Sequence, residues 1–181
     1  MSTRPAPLLS CVCLCVSLYL GLLAQAQAQQ VCKELAVLSS PNSRFMADNE
    51  GNTVDGVTLL MWMRCPLGQT WVQTSCQGQA QRLNWVDSLA QAQRINASGE
   101  HFYNDWRVPS LRELATVSER QCTQPRINLS VFPGTPPTPF WTGTASLQDA
   151  GQAYALDFGF GGVAQTAQSD SLHVRLVRTA P

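Results

Sequence analysis

The chain has 181 residues, with twelve basic and twelve acidic side chains, a formal net charge of zero, and a single lysine, Lys33. Without a basic surplus or stripe, recognition of nucleic acid or of an anionic membrane by counterion release and long-range attraction is excluded.

The first element in chain order is a predicted secretory signal. Arg4, the apolar run from Leu8 to Leu23 and the following AQAQAQ supply a positive n-region, an h-region and A-x-A spacing. Cleavage after Ala26 and after Ala28 fit equally well. The run is short for a bilayer span of about 20 residues, so no membrane span is expected after cleavage. Leu8-Leu9-Ser10-Cys11 has a lipobox shape but precedes the apolar run, which disfavours lipidation. Residues 1–28 are therefore read as a Sec signal peptide and residues 29–181 as one periplasmic or extracellular domain. A domain of that length buries roughly 70 % of its unfolded surface. Cys11, Cys13 and Cys15 leave with the signal, and the remaining four cysteines are expected to form two disulfides. Cys65 and Cys76 enclose a short turn-rich loop and should pair, leaving Cys32 with Cys122. No C-x-x-C spacing supports zinc.

From Arg44 to Arg64 the sequence predicts one hairpin: RFMAD alternates, NEGN turns, and VTLLMWMR is an apolar second strand. CPLGQTWVQTSC reads as a loop between cysteines. Residues 84–97 predict a helix with Trp85, Leu89, Ala92 and Ile95 along one side, and ASGEHFYND ends it. In DWRVPSLREL, residues 105–114, Ser110 and Glu113 have capping-box spacing, and Pro109 keeps Val108 extended. Leu111, Leu114, Ala115 and Ser118 would form the apolar face of a second helix. FPGTPPTPF is an irregular loop. Three further stretches read as β structure: FWTGTASL is a strand, AYALDFGFGGVAQT a glycine-turned hairpin, and LHVRLVR an alternating final strand. The fold class is α+β, with two helices, small antiparallel sheets and long disulfide-stapled loops.

Few residues suggest reaction chemistry. DNEGNTVDG, residues 48–56, gathers Asp48, Glu50, Asn52 and Asp55. An EF-hand, however, needs glycine sixth and glutamate twelfth, where this chain has Thr53 and Leu59. A polar turn is the expected role. DFGFGG lacks the partner motifs of a kinase. The two histidines, His101 and His173, belong to no H-E-x-x-H, and G-x-S-x-G is absent. No nucleophile, base and orienter assemble, so neither catalysis nor a cofactor is expected. Trp62 and Trp85 lie on apolar faces and are expected in the core, whereas Trp71 and Trp141 adjoin loops. A ligand surface is therefore expected from Trp71 and Gln73 in the disulfide loop with Phe140, Trp141 and Thr142 after the prolines. Loops 66–75 and 133–140 would converge on it.

The succession RF…DN…TV.D..T.L.W.RC..GQTW, DWRVPS..EL, IN..VFPGTP…FWT, DFGFGGV and VRLVR, from Arg44 to Arg178, resembles the Lcl C-terminal domain family, named for the end domain of a bacterial collagen-like adhesin. The resemblance implies a C-type-lectin-like fold related to formylglycine-generating enzymes. It also implies that Asp105, Trp106, Arg107, Ser110 and Glu113 are a structural signature, with Trp106 in the core and Arg107 tying its loop to a neighbouring strand. The family's adhesin domain binds sulfated glycans as a trimer, so a homo-oligomer is an implied state. This chain departs from it in lacking a collagen-like repeat and a basic surplus. It also has NDW at 104–106 where calcium lectins have W-N-D, and no cysteine after Cys122 to match the formylglycine enzymes' pair.

The reading is an exported, non-catalytic binding domain for a glycan or an envelope protein. A structural part of an envelope assembly is the alternative, and a formylglycine-type enzyme the third reading. Folding is expected to need no metal: thermal melts with and without EDTA should superimpose, and a drop in Tm with chelator would assign a cation to residues 48–55.

Overall fold

The computed structural model describes residues 29–99 and 102–181; the expected signal segment, residues 1–28, and His101 lie outside the described residues. A short strand β1 (Val31–Cys32) is followed by β2 (Phe45–Ala47), β3 (Asn52–Asp55) and β4 (Leu60–Met63). Where the sequence predicted one hairpin there are two, because the run after Asn52 breaks at 56–59. Asp55 causes the break: its carboxylate accepts the Val57 N–H at 3.0 Å and the Thr58 hydroxyl at 2.6 Å. This side-chain-driven turn carries Leu59 to φ 56°. At the first turn, the Asp48 carboxylate accepts N–H bonds from Glu50 and Asn52, which gives residues 48–51 the polar-turn role.

The disulfide loop is also a hairpin, β5 (Thr70–Val72) against β6 (Ser75–Gln77). Helix α1 (Trp85–Ser98) starts at Asn84, whose side chain accepts the Asp87 N–H, and ends at Gly99 in the left-handed region. Helix α2 (Leu111–Thr116) carries the full capping box of Ser110 and Glu113. It is shorter than its apolar spacing suggested. The chain leaves the helix after Thr116, so Leu114 and Val117 are the buried pair, while Ala115 faces solvent. Strand β7 (Cys122–Thr123) pairs with β1. Strands β8 (Pro139–Ala145), β9 (Gln152–Asp157) and β10 (Val163–Ala167) form an antiparallel sheet in the order β10-β9-β8. Strand β11 (Val177–Thr179) joins β4, giving the order β11-β4-β3-β2. Both expected disulfides are present, Cys32–Cys122 and Cys65–Cys76.

Two apolar cores lie on opposite faces of β4. Met61 and Met63 join Trp106, Val108, Trp141 and Val174 in one. Leu60 and Trp62 join Leu114, Phe132, Phe140 and Phe158 in the other. Successive strand residues point to opposite faces, so a strand with core on both sides must read as an unbroken apolar run, and LMWM does.

The triplet before α2 is explained residue by residue. Trp106 is 2 % exposed, and its backbone N–H and C=O both bond the Asn96 side-chain amide on α1, at 2.9 and 2.8 Å. Asp105 pairs with Arg178 at 2.6 Å, whose guanidinium stands 4.0 Å over the Tyr103 ring. Arg107 divides its work. Its backbone exchanges two hydrogen bonds with Val177, while its side chain forks onto both oxygens of Glu113, at 2.8 and 2.7 Å. The strand tie implied by the resemblance is thus made by the backbone; the side chain secures the helix cap.

Trp106→Ala and Trp141→Ala should each lower unfolding stability by about 3–5 kcal/mol, the cost of emptying a large buried site. Urea denaturation measures this. A loss near zero for either would contradict its placement in the core.

Candidate functional site

The ligand surface expected after the proline-rich loop does not exist as a surface. Phe140, Trp141 and Thr142 are fully buried. The Trp141 indole N–H donates to the Leu83 carbonyl at 2.9 Å, Phe140 meets Phe158 edge-on at 5.1 Å, and the Thr142 hydroxyl donates to the Tyr154 carbonyl. The reason is tertiary: β8 is flanked by β9 on one side and by the chain at His173 on the other, so proximity to a loop in sequence does not bring exposure. Gln73 is exposed at the tip of the β5–β6 hairpin, at φ 57°.

The two expected loops do touch. A Cβ at Gly134 would lie 3.1 Å from both the Cys76 Cβ and the Gln69 side-chain oxygen. That contact is closed, and the open cleft beside the hairpin, about 530 Å³, has no lining residue from 133–140. Its walls are the 50–52 turn, the Cys65–Thr70 loop with Trp71, and the side chains of Gln91 and Ile95 on α1.

Each wall is fixed by the local sequence. Gly51, at φ 84°, lies against Trp71 so closely that a Cβ there would fall 2.5 Å from the Trp71 Cβ. Arg64 stands 4.0 Å over the Trp71 ring and is itself held by the Val131 and Ser130 carbonyls, at 2.8 and 3.0 Å. Trp71 is therefore a half-buried, immobilised wall, and the face under Arg64 is closed to a sugar ring. Leu67 donates its N–H to the Val174 carbonyl and accepts one from Gln81, which anchors the floor. The polar lining comes from Asn52, Gln69, Gln81, Gln91, Thr70 and Glu50; Glu50 is the one titratable side chain among the described lining residues. The Gln69 side-chain oxygen and the Trp71 indole N–H are buried without a hydrogen-bond partner. Such a cleft can orient hydroxyls and amides by donor–acceptor pairing.

Sequence reasoning missed three charged features. Arg175 is fully buried with no carboxylate beside it. Its guanidinium donates to the Met63 and Arg64 carbonyls and, at 2.6 Å, to the Thr135 hydroxyl, and it lies 4.8 Å over the Phe132 ring. Burial lowers its pKa to about 9. In LHVRLVR, alternation placed His173 and Arg175 on a wet face, and nothing in the pattern marks them as buried. Burial also lowers the pKa of the His173 imidazole, whose Nδ1 lies 3.0 Å from the Gln81 carbonyl. Glu119 is the second feature. Burial raises its carboxyl, but N–H donors from Gln121, Ser39 and Ser40 outweigh that and hold it below its ordinary value. The third is a groove of about 470 Å³ where Arg44, Arg112 and Arg120 converge from separate segments. Arg44 is committed to Asp55, whereas Arg112 and Arg120 are exposed and their guanidinium groups have no partner among the described residues.

Fold and cleft together define a small disulfide-stapled α+β domain with a preformed, largely uncharged cavity. The sequence model of the Lcl C-terminal domain family matches residues 51–178, and the chain belongs to that family. No curated protein matches the sequence significantly. The match spans the cleft apart from Glu50, both helices and the strands from β3 into β11, while β1 and β2 precede it.

The cap ion pair sets an acid dependence. The Arg107 guanidinium, against the opposing effect of burial and with help from Ser110, lowers the Glu113 pKa to about 2 from an ordinary 4.5. A carboxyl depressed on folding stabilises fully above its unfolded pKa, and that stabilisation is lost as pH falls through the folded value. Asp55 and Glu119 shift in the same direction. Stability should therefore fall between about pH 4.5 and 2, and Glu113→Gln should start less stable near neutrality and decline less steeply across that window. Parallel urea midpoints against pH for the two proteins would contradict the assignment.

Proposed function

We propose that this chain is an exported, non-catalytic binding domain of C-type-lectin-like arrangement that recognises a neutral glycan through the cleft between the disulfide hairpin and α1. The observation that carries the reading is the cleft's polar set: four side-chain amides, one hydroxyl and one carboxylate around about 530 Å³. A sugar hydroxyl both donates and accepts, and a side-chain amide offers both functions at fixed geometry. The walls are already immobilised by the Cys65–Cys76 bond and the Arg64–Trp71 stack, so little ordering cost falls on binding. Two disulfides agree with an oxidising compartment, and among the described residues no helix is long and apolar enough to cross a membrane.

A second reading rests on the groove of Arg44, Arg112 and Arg120, which suits an anionic group on a glycan or envelope protein. Salt separates the two. Binding through the neutral cleft depends weakly on ionic strength, whereas binding through guanidinium groups falls steeply with it. A glycan array on the purified, disulfide-bonded protein, followed by titration of the hits, should give neutral glycans. Gln91→Ala should weaken binding by about 0.5–1.5 kcal/mol and Glu50→Ala by about 1.5–3 kcal/mol, as for neutral and charged hydrogen bonds. Arg112→Ala/Arg120→Ala should leave it unchanged. Loss of binding in the arginine variant alone, with a steep salt slope, would replace the cleft by the groove.

A further inference from the structure

Strand β10 is the outer strand of its sheet, with β9 on one side and, among the described residues, no neighbour on the other. Four of its five residues are exposed, Val163 at 51 %, and the preceding turn exposes Phe160 at 69 %. Natural sheet edges are normally guarded by charge, proline or a bulge. Strand β2, the outer strand of the other main sheet, is bracketed by Arg44 and Asp48. The stretch from Phe158 to Ser169 contains no charged residue and no proline.

The register fixes which backbone groups face outward. Asp157 donates its N–H to the Gly162 carbonyl and Gln168 to the Gly151 carbonyl, both at 2.8 Å. The β9–β10 pairing of Val163 with Leu156 through Ala167 with Gln152 lies between them. Hydrogen-bonded and non-bonded pairs alternate along an antiparallel ladder, so Ala164 and Thr166 bond to β9. Val163, Gln165 and Ala167 present their N–H and C=O groups to solvent. That outward set is symmetric about Gln165, whose side chain is already ordered by Ser146, Tyr154 and Gln148, at 3.1, 3.1 and 3.4 Å.

We propose that β10 is a self-association edge, on which a second copy of this chain docks its own β10 antiparallel about a two-fold axis through Gln165, making one continuous six-stranded sheet. Gln165 would face its counterpart, and Val163 would face Ala167 of the other copy, each such pair exchanging two backbone hydrogen bonds. A two-fold interface must be complementary to itself. This register meets that demand because it sets no like charges against each other and covers Val163 at both ends. The pairing is short, so the dimer dissociates on dilution.

Sedimentation velocity over a dilution series of the purified, disulfide-bonded protein tests this. The expected result is a reversible monomer–dimer equilibrium, with slowed hydrogen exchange at Val163, Gln165 and Ala167 as concentration rises. Gln165→Pro removes the central outward N–H together with the side-chain bonds to Ser146, Tyr154 and Gln148. It should abolish the dimer, whereas Gln165→Ala, which loses the same side-chain bonds but keeps the N–H, should retain it. Both should leave the monomer's circular dichroism intact. Gln165→Lys and Gln165→Glu should each be monomeric alone and form a heterodimer when mixed, because residue 165 faces its own copy. A wild type monomeric at every concentration, including one that captures only foreign extended peptides, would overturn the proposal. So would an oligomer of any size that persists in Gln165→Pro, or a charge-swapped mixture that stays monomeric.

Discussion

The backbone of the segment from Leu172 to Thr179 hydrogen-bonds to five separate parts of the chain, and the rest of the fold is arranged around it. Leu172 bonds reciprocally with Leu83 before α1, and the His173 carbonyl accepts the Trp141 N–H from β8. The Val174 and Leu176 carbonyls accept from Leu67 and Met63, Val177 bonds reciprocally with Arg107, and β11 runs along β4. Every residue from Leu172 to Val177 is buried. Buried backbone polar groups must be paired, so the neighbours of this strand are fixed as firmly by its hydrogen bonds as by its side chains. The cleft floor at Leu67, the loop before α2 and the disulfide hairpin all take their positions from it.

Arg175 sits at the centre of that segment and imposes a second constraint. A buried cation without a counter-ion is tolerated only where dipoles replace its hydration. Here the Met63 and Arg64 carbonyls, the Thr135 hydroxyl and the Phe132 ring do so. Those groups belong to the end of β4 and to the loop that meets the disulfide hairpin at Gly134. One side chain therefore couples the two loops that flank Cys65–Cys76. Glu119 does the complementary work at the other end, where backbone N–H groups of Ser39 and Ser40 converge on it beside the Cys32–Cys122 bond. Arg175 and Glu119 thus act as separate buried centres, one a cation and one an anion, for organising backbone.

With both walls braced in this way, the cleft is a property of the framework. Trp71 contributes shape, held between Gly51 and Arg64, and the side-chain amides around it supply most of the polar lining. The neutral cleft and the arginine groove differ in the field they present, and that difference decides which class of ligand each could hold.

Local chemistry in the sequence determined a good deal of this structure. The capping box at Ser110 and Glu113, the helix begun at Asn84, the two disulfides and the polar turn at Asp48 each follow from residues close together or from cysteine count and spacing, while the core position of Trp106 follows from the family resemblance. Burial of non-adjacent segments did not follow. Trp141 beside a proline-rich loop reads the same whether β8 is a rim or an interior strand, and only the docking of His173 against it makes it interior. LHVRLVR reads as a half-wet strand until both cores close over it, and the arginine groove gathers residues far apart in the chain. The hairpin from Arg44 to Arg64 became two because one aspartate's side-chain bonds outweighed an apolar run. Periodicity and capping are local, so the sequence states them directly. Which face of a strand is wet depends on what packs against it, and that was decided only when the last segment threaded between the two cores.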